Sequence, residues 1–486
     1  MENLTKPLPF RVPAGYQGPK RSLVLAGGGM RLSYQAGVLK ALEEHGLQFT
    51  HADGTSGGIF TLAMLLSGLT TDEICHNWRT LNSKHFVSYL PFRKYLNPLR
   101  LAAFGDADGI RLKVLPHLGV DLASINAEKA LAGTFNVCNY SEKRNEAIPN
   151  ESLTLPHLLA GVSLPMFMPA QKINAHWYID AVWIKDANLL EAVKRGAEEI
   201  WVVWAIGNIH EYKGGTFNQY VHMIEMSANG ALYAELDYIT ELNQRITRGD
   251  SPYGQKAAIR VHLIKPAYPL PLDPDLYFNR VNATTLIDMG YADAKEYLLN
   301  LPPDPIAEPN LSTKMKSQGI AFSCRAKLSG KLFNQLAVLH VSLTIHDIQD
   351  FVRTEQPYQL NASLSFPEGL RIYYGFKGEL TVQPNPAGGD KIVQFQFRAE
   401  MEGKSYVITG STVFNSRFLS GAGKKAEIKL YAGTSPAGQP LQSSIFQISV
   451  ADWVYLRKSL SVYNADGWFE RRRVKKTLKS YFFSDN

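Results

Sequence analysis

Apolar positions change their spacing twice along this chain, and each change marks a different kind of element. Short apolar runs come first: Ser22 to Ala26, Leu47 to Ala52, Phe135 to Tyr140, Glu199 to Trp204 and Ala258 to Ile264 read as buried strands. Between them lie stretches with helical spacing. Tyr34, Val38, Leu39 and Leu42 share a helix face, Ile59 to Leu69 is a wholly apolar helix, and Asn188 to Arg195, Gly230 to Ile246 and Leu286 to Leu299 predict further helices. Strands alternating with helices imply an α/β domain over residues 21–300, with a mostly parallel sheet covered on both faces and its site at the carboxyl ends of the strands. Leu301 to Ser317 holds Pro302, Pro303, Pro305 and Pro309 and reads as a linker over 301–317. Beyond it the period shortens to two. From about Leu339, stretches such as LHVSLTI, QLNASLSF and KIVQFQFRAEM alternate and are joined by Gly, Pro, Asn and Asp, so residues 318–486 are expected to form an antiparallel all-β domain, sheet or barrel.

The 486 residues are 45% hydrophobic and 20% charged, enough for two or three domains with large cores. No window approaches the 18 or more apolar residues of a spanning helix. The first 20 residues carry Pro7, Pro9, Pro13 and Pro19 and no long apolar core, so they read as an extended arm rather than a leader or anchor. Cys75, Cys138 and Cys324 are far apart and lack metal-ligand spacing, which fits free thiols in a reducing, cytoplasmic compartment with no structural metal. A net charge of +7 favours anionic surfaces, lipid or nucleic acid, and no nucleic-acid motif supports the second.

The chemistry concentrates between Arg21 and Phe60. Gly27, Gly28 and Gly29 end the first strand, and without Cβ atoms they can aim N–H groups at a developing negative charge. Gly54-Thr55-Ser56-Gly57-Gly58 is a G-x-S-x-G turn, which places a serine at the positive end of the following helix. A dinucleotide fingerprint fails because Leu32 takes the third glycine position. A Ser-Asp-His triad would have to use His210 or His262, and His262 lies inside a strand. Asp108-Gly109 reads as a turn, and Asp53 as a hydrogen-bonding partner for the elbow turn.

With Gly27-Gly28-Gly29-Met30-Arg31 and Gly54 to Gly58 in this order, the sequence resembles the patatin-like phospholipase family over roughly its first 300 residues. The resemblance implies a three-layer α/β domain and a serine acyl-ester hydrolase of lipid substrates, working through a Ser/Asp dyad with no cofactor. Ser56 and Asp180 are then the catalytic pair, Gly27, Gly28 and Gly29 the oxyanion hole, and Arg31 a substrate-binding cation. The family's third motif is altered. Asp180 is followed by Ala181 and Val182 where the family shows Gly and Gly or Ala, and Asp186 and Asn188 fall where it usually shows Asn and Pro. These changes motivate the alternative of a lipid-binding or scaffolding protein with a degenerate site.

Three segments carry two readings each. Phe86, Tyr89, Leu90, Phe92, Tyr95 and Leu96 crowd a basic stretch that is either core packing or a lipid-binding rim. The tail WFERRRVKKTLKSYFF (468–483) is either a solvated helix or a peripheral anchor for anionic membrane. The β-rich region is weakly similar to an accessory region joined to cholesterol-oxidase-like flavoproteins and lipases, or is a structural appendage. The acyl position, head group and oligomeric state are not written in the sequence.

Overall fold

The computed structural model describes residues 8–96, 101–127, 131–206, 212, 214–268, 270, 282–302, 311, 319–353, 356–386, 391–414, 424–463, 465 and 467–482. The chain divides into two compact units, residues 1–315 and 316–486. Most of the expected linker, and His210, lie outside the described residues.

The first unit is built on eight strands: β1 Arg21–Leu25, β2 His51–Thr55, β3 Ala132–Asn139, β4 Arg144–Pro149, β5 Gln171–Ile173, β6 His176–Asp180, β7 Glu199–Val203 and β8 Arg260–Ile264. Their order is β5-β6-β3-β2-β1-β7-β8, with β4 also on β3. The five strands β3, β2, β1, β7 and β8 are mutually parallel, as their apolar runs predict. β4 and β6 pair antiparallel with β3, and β5 antiparallel with β6, which makes the sheet mixed. The sequence does not announce β4 or β5: RNEAIP is half polar, and QKI is only three residues long. Strand β2 begins four residues later than Leu47, because Asp53 and Gly54, which look like turn residues, are buried inside it.

Helices α1 Ser33–Glu44 and α2 Gly58–Leu66 follow β1 and β2, and α3 Leu155–Gly161, α4 Leu189–Lys194, α5 Thr216–Thr247 and α6 Ala283–Leu299 follow in order. One face of the sheet packs Val24, Ala26, Ile200 and Val202 against Leu189 and Val193 of α4 and Leu232, Leu236 and Ile239 of α5. Strand alternation sends Leu23, Leu25 and Val203 to the other face. There α1 and α6 cross almost backbone on backbone. A Cβ on Gly37 would lie 1.9 Å from the Ile287 carbonyl, and one on Gly290 would lie 2.0 Å from that of Tyr34. Tyr34 Oη donates to Asp293 Oδ2 at 3.1 Å, and Tyr291 Oη to Glu44 Oε2 at 2.6 Å, so polar ends close the same contact.

The second unit is an antiparallel barrel. Strands β9 Ala321–Leu332, β10 Gln335–Ile345, β11 Tyr358–Phe366, β12 Arg371–Pro384, β13 Lys391–Met401, β14 Lys404–Phe414, β15 Lys424–Ala432 and β16 Gln442–Ile448 pair in sequence, and β16 returns to β9. The short β17 Ser461–Tyr463 adds to β9. The barrel starts at Ala321, ahead of the alternation expected from Leu339, since Arg325, Lys327 and Lys331 disguise β9. Phe333 and Asn334 at positive φ (52° and 60°) make the tight first hairpin. Alternate residues fill the interior, among them Leu360, Ala362, Leu364, Phe395, Phe397 and Ala399. Helix α7 Val450–Ser459 adds Trp453 to this core, and α8 Gly467–Phe482 adds Val474 and Leu478. Arg471, Arg472, Arg473, Lys475 and Lys476 of α8 remain exposed. No helix among the described residues is long and apolar enough to cross a membrane.

Candidate active site

The site forms where two strands meet end to end. β4 runs along one edge of β3 from Thr134 to Asn139, which leaves the other edge to β2 and then β6. β2 ends at Thr55, opposite Asn136, and β6 arrives from the opposite direction and ends at Asp180, opposite Val137. The next residue after β2 is Ser56. Register therefore brings together two residues 124 positions apart, and Ser56 Oγ donates to Asp180 Oδ2 at 2.7 Å. Both are nearly closed to solvent, at 8% and 2% exposure.

Ser56 has a φ of 49°, a left-handed conformation that is costly for a residue with a Cβ and typical of a nucleophile elbow. The flanking glycines permit it. A Cβ on Gly58 would sit 2.1 Å from the Leu25 carbonyl, and one on Gly54 only 3.1 Å from that of Gly58, so both ends of the elbow press on backbone. Helix α2 starts directly behind, with Ile59 N–H donating to Ser56 O at 3.1 Å. Gln35 of α1 ties the parts together, donating to Ala26 O at 2.6 Å and accepting from Thr61 Oγ1 of α2 at 2.8 Å.

The glycine turn stands beside the elbow, at the end of β1. Gly29 has a φ of 59°. Arg31 reaches back, its Nε donating to Gly28 O at 2.7 Å. Because a peptide is planar and trans, holding that carbonyl fixes the Gly29 N–H in the opposite direction. The N–H of Gly27 donates to Asp186 Oδ2 at 3.0 Å. Among the three expected oxyanion donors, that one is engaged in this structure, and sequence reasoning did not assign Asp186 to the site.

Burial sets the acid–base character here. Asp180 is pushed up to about 7 by desolvation, against the opposing hydrogen bonds from Ser56 and from the Val182 N–H, which reaches Asp180 Oδ1 at 2.9 Å. Asp186 rises to about 8 through burial first and the Asp180 charge second, opposed by Gly27 N–H and Arg31. Neither Ala181 nor Val182 has a positive φ. The two residues that replace glycines after Asp180 therefore sit without backbone strain in a short turn, Ala181–Trp183, that still delivers an N–H to the carboxyl.

The other candidates lie elsewhere. Asp53 is buried beneath the elbow, accepting from Thr134 Oγ1 and Asn136 Nδ2, both at 2.5 Å, and burial pushes it up to about 8. Asp108 is exposed and paired with Arg111 at 3.0 Å. His262 stacks on Trp201 with ring centroids 4.0 Å apart, and burial lowers it to about 4. Asn188 caps α4 and donates to Asn136 Oδ1 at 2.7 Å. Among the described residues no group of His, Cys, Asp and Glu is arranged to hold a metal ion.

An aromatic wall flanks Asp180. Tyr220 packs on Phe167 and Trp183 at 5.4 and 5.6 Å between centroids, and burial followed by the Asp180 charge raises its hydroxyl. Phe104 packs on Phe167, and the two segments share backbone hydrogen bonds. The crowded aromatic stretch splits in two: half-buried Phe86 stacks on the buried Trp78, while Tyr89, Phe92 and Leu96 are 69%, 78% and 71% exposed.

Residues 23–193 match the family model described as Patatin-like phospholipase. A solved structure, VipD from Legionella pneumophila, aligns over 60% of this chain and 68% of its own at 14% identity, with a TM-score of 0.29. No curated protein matches the chain. At the level of the family, the match supports lipid acyl hydrolysis. The matched region holds β1, the glycine turn, the elbow and Asp180, and the first unit of this chain is a patatin-like α/β domain.

Proposed function

We propose that this protein is a serine acyl-ester hydrolase of lipid substrates with a Ser56/Asp180 dyad. The observation that carries the reading is the 2.7 Å hydrogen bond from a strained, buried serine to a buried carboxyl. Ser56 Oγ attacks the ester carbonyl while Asp180 takes its proton, which requires an ionised carboxylate of raised basicity. The carbonyl π pair moves to oxygen, where the N–H groups of Gly28 and Gly29 and the N-terminus of α2 receive the charge. Asp180 returns its proton to the leaving alkoxide. Water then repeats the sequence on the acyl-enzyme. Arg31 acts by fixing the glycine turn through Gly28 O, and its charge also favours an anionic head group.

Phe167, Trp183 and Tyr220 supply an apolar wall for an acyl chain, and exposed Tyr89, Phe92 and Leu96, beside Arg93 and Lys94, suit peripheral contact with anionic membrane. The alternative, a lipid-binding protein with a degenerate site, is disfavoured by the unstrained Ala181–Val182 turn. A fluorophosphonate probe decides between them. Labelling confined to the Ser56 peptide, lost in Ser56→Ala together with hydrolysis of long-chain phospholipid esters, supports the hydrolase. A folded protein that binds anionic vesicles but is neither labelled nor able to cleave ester supports the alternative.

A further inference from the structure

Among the described residues, Asp186 is a buried carboxyl beside the reacting serine that the dyad leaves without a task, and unlike Asp53 it is not satisfied at both oxygens. Oδ2 receives the Gly27 N–H, but Oδ1 is buried without a hydrogen-bond partner among the described residues. Its direction is informative. A Cβ on Gly27 would fall 2.2 Å from Asp186 Oδ1 and 2.8 Å from Ser56 Cβ, so the carboxyl faces the serine across a gap that only a glycine leaves open. A bare anionic oxygen there would repel the oxyanion that forms at the same carbonyl. A carboxylic acid in the same place would do the opposite.

Building on the hydrolase reading, we propose that Asp186 works as a neutral acid whose O–H, at Oδ1, donates a hydrogen bond to the oxyanion formed by Ser56 attack. The bond changes are unaltered by it. Ser56 Oγ bonds to carbon, the carbonyl pair moves to oxygen, Asp180 holds the serine proton, and Asp186 keeps its own proton throughout. When the intermediate collapses, the C–O bond to the leaving group breaks, and the proton returns from Asp180. A buried carboxylic acid is a competent oxyanion donor because its proton is not lost near neutral pH.

The surroundings favour this division of labour. The groups that face Asp186 are the Asp180 carboxyl, the Arg31 guanidinium and the Gly27 N–H. Its neighbours Lys185 and Asn188 are engaged with Glu235 and with Asn136. Burial and then the Asp180 charge raise Asp186, whereas Asp180 accepts two hydrogen bonds, from Ser56 and the Val182 N–H, against the single one that Asp186 accepts from Gly27, so the shared negative charge is better held on Asp180 and the proton on Asp186. The active form is then the one carrying a single proton.

The test is the pH profile of ester hydrolysis and of Ser56 inactivation by a fluorophosphonate, from pH 5 to 10. The wild type is expected to lose about tenfold per unit above about pH 8 as Asp186 ionises. Asp186→Asn keeps an acceptor for Gly27 and a donor at the Oδ1 position, and should stay within several-fold of wild type at pH 7 while the alkaline descent disappears. Asp186→Ala should lower kcat about 100-fold with KM little changed. A merely structural Asp186 gives a different pattern, with Asn showing the same descent as wild type. That result, a wild type with no descent, or Ala within threefold of wild type, overturns the proposal and leaves the hydrolase reading standing. A wild type that is neither labelled nor active overturns both.

Discussion

Lowering the pH from 8 to 5 should silence the site while relieving a strain that Asp180 places on the fold. The carboxyl is 2% exposed and pushed up to about 7, against about 3.9 in an unfolded chain. As base it must be ionised, so kcat/KM should fall about tenfold per unit below pH 7, leaving roughly 1% at pH 5. An aspartate with the ordinary value would stay more than about 90% ionised there. Stability moves the other way. A raised folded pKa means that between pH 4 and 7 the unfolded chain releases a proton that the folded chain retains, so this group destabilises the native state as pH rises. From pH 5 to 7, at about 1.4 kcal/mol per unit, the change is about 3 kcal/mol. His51 and His262, lowered to about 3 and about 4 by burial, act with the opposite sign over this range, so the comparison must be differential. Chemical unfolding of wild type and Asp180→Asn at pH 5 and 8 cancels the histidines: the Asn variant should gain at least about 3 kcal/mol on wild type between the two, since losing the Asp180 charge also lowers Asp186. A flat rate profile down to pH 5.5, together with a stability difference independent of pH, would refute the raised base.

Three further outcomes follow from the geometry. Gly27→Ala puts a methyl group into the Asp186 and Ser56 side chains, so fluorophosphonate labelling should slow by about 100-fold or more while circular dichroism stays native. Because Ser56 sits at a φ of 49°, Ser56→Gly should be about 1 kcal/mol more stable to denaturant than Ser56→Ala, and equal stabilities would mean that the elbow is unstrained. Glu235 of α5 pairs with Lys185 and accepts the Leu189 N–H of α4 at 2.7 Å, so Glu235→Ala should cost about 3 to 5 kcal/mol in urea unfolding, and a paired Lys185→Met, Glu235→Leu variant distinctly less.

What could be read from the sequence was what is local. Strand, glycine turn, helix and elbow follow within forty residues, each signalled by its own spacing, and the parallel half of the sheet and the alternating strands of the barrel are equally self-declared. Asp180 could be singled out only through a family resemblance, because what brings it to Ser56 is the shared edge of β3, a register between strands far apart in the chain. Asp186 was invisible as a site residue for the same reason: its partner is the Gly27 N–H, 159 positions away. β4 and β5 escaped because half-exposed antiparallel strands carry too few apolar residues to mark a face. Asp53 misled in the opposite sense. An aspartate before a glycine looks like turn chemistry, yet Thr134 and Asn136 satisfy it inside a strand.

The glycine crossing of α1 and α6 sets a clock on biosynthesis. Gln35 on α1 joins the glycine turn to the elbow helix, yet the groove beside Gly37 is filled only by α6, and Tyr34 waits 259 residues for Asp293. At roughly 5 to 20 residues per second, a ribosome needs on the order of ten seconds to a minute to cover that distance. Through that interval the strip of α1 around Gly37 lacks the helix that covers it, while the segment Thr71–Thr80 already packs alongside, with Cys75 Sγ donating to Ala36 O at 3.5 Å and Lys40 paired with Asp72 at 2.9 Å. Ser56 likewise waits 124 residues for Asp180, so the elbow is made long before its hydrogen-bond partner, and the last brace of α1 comes later still.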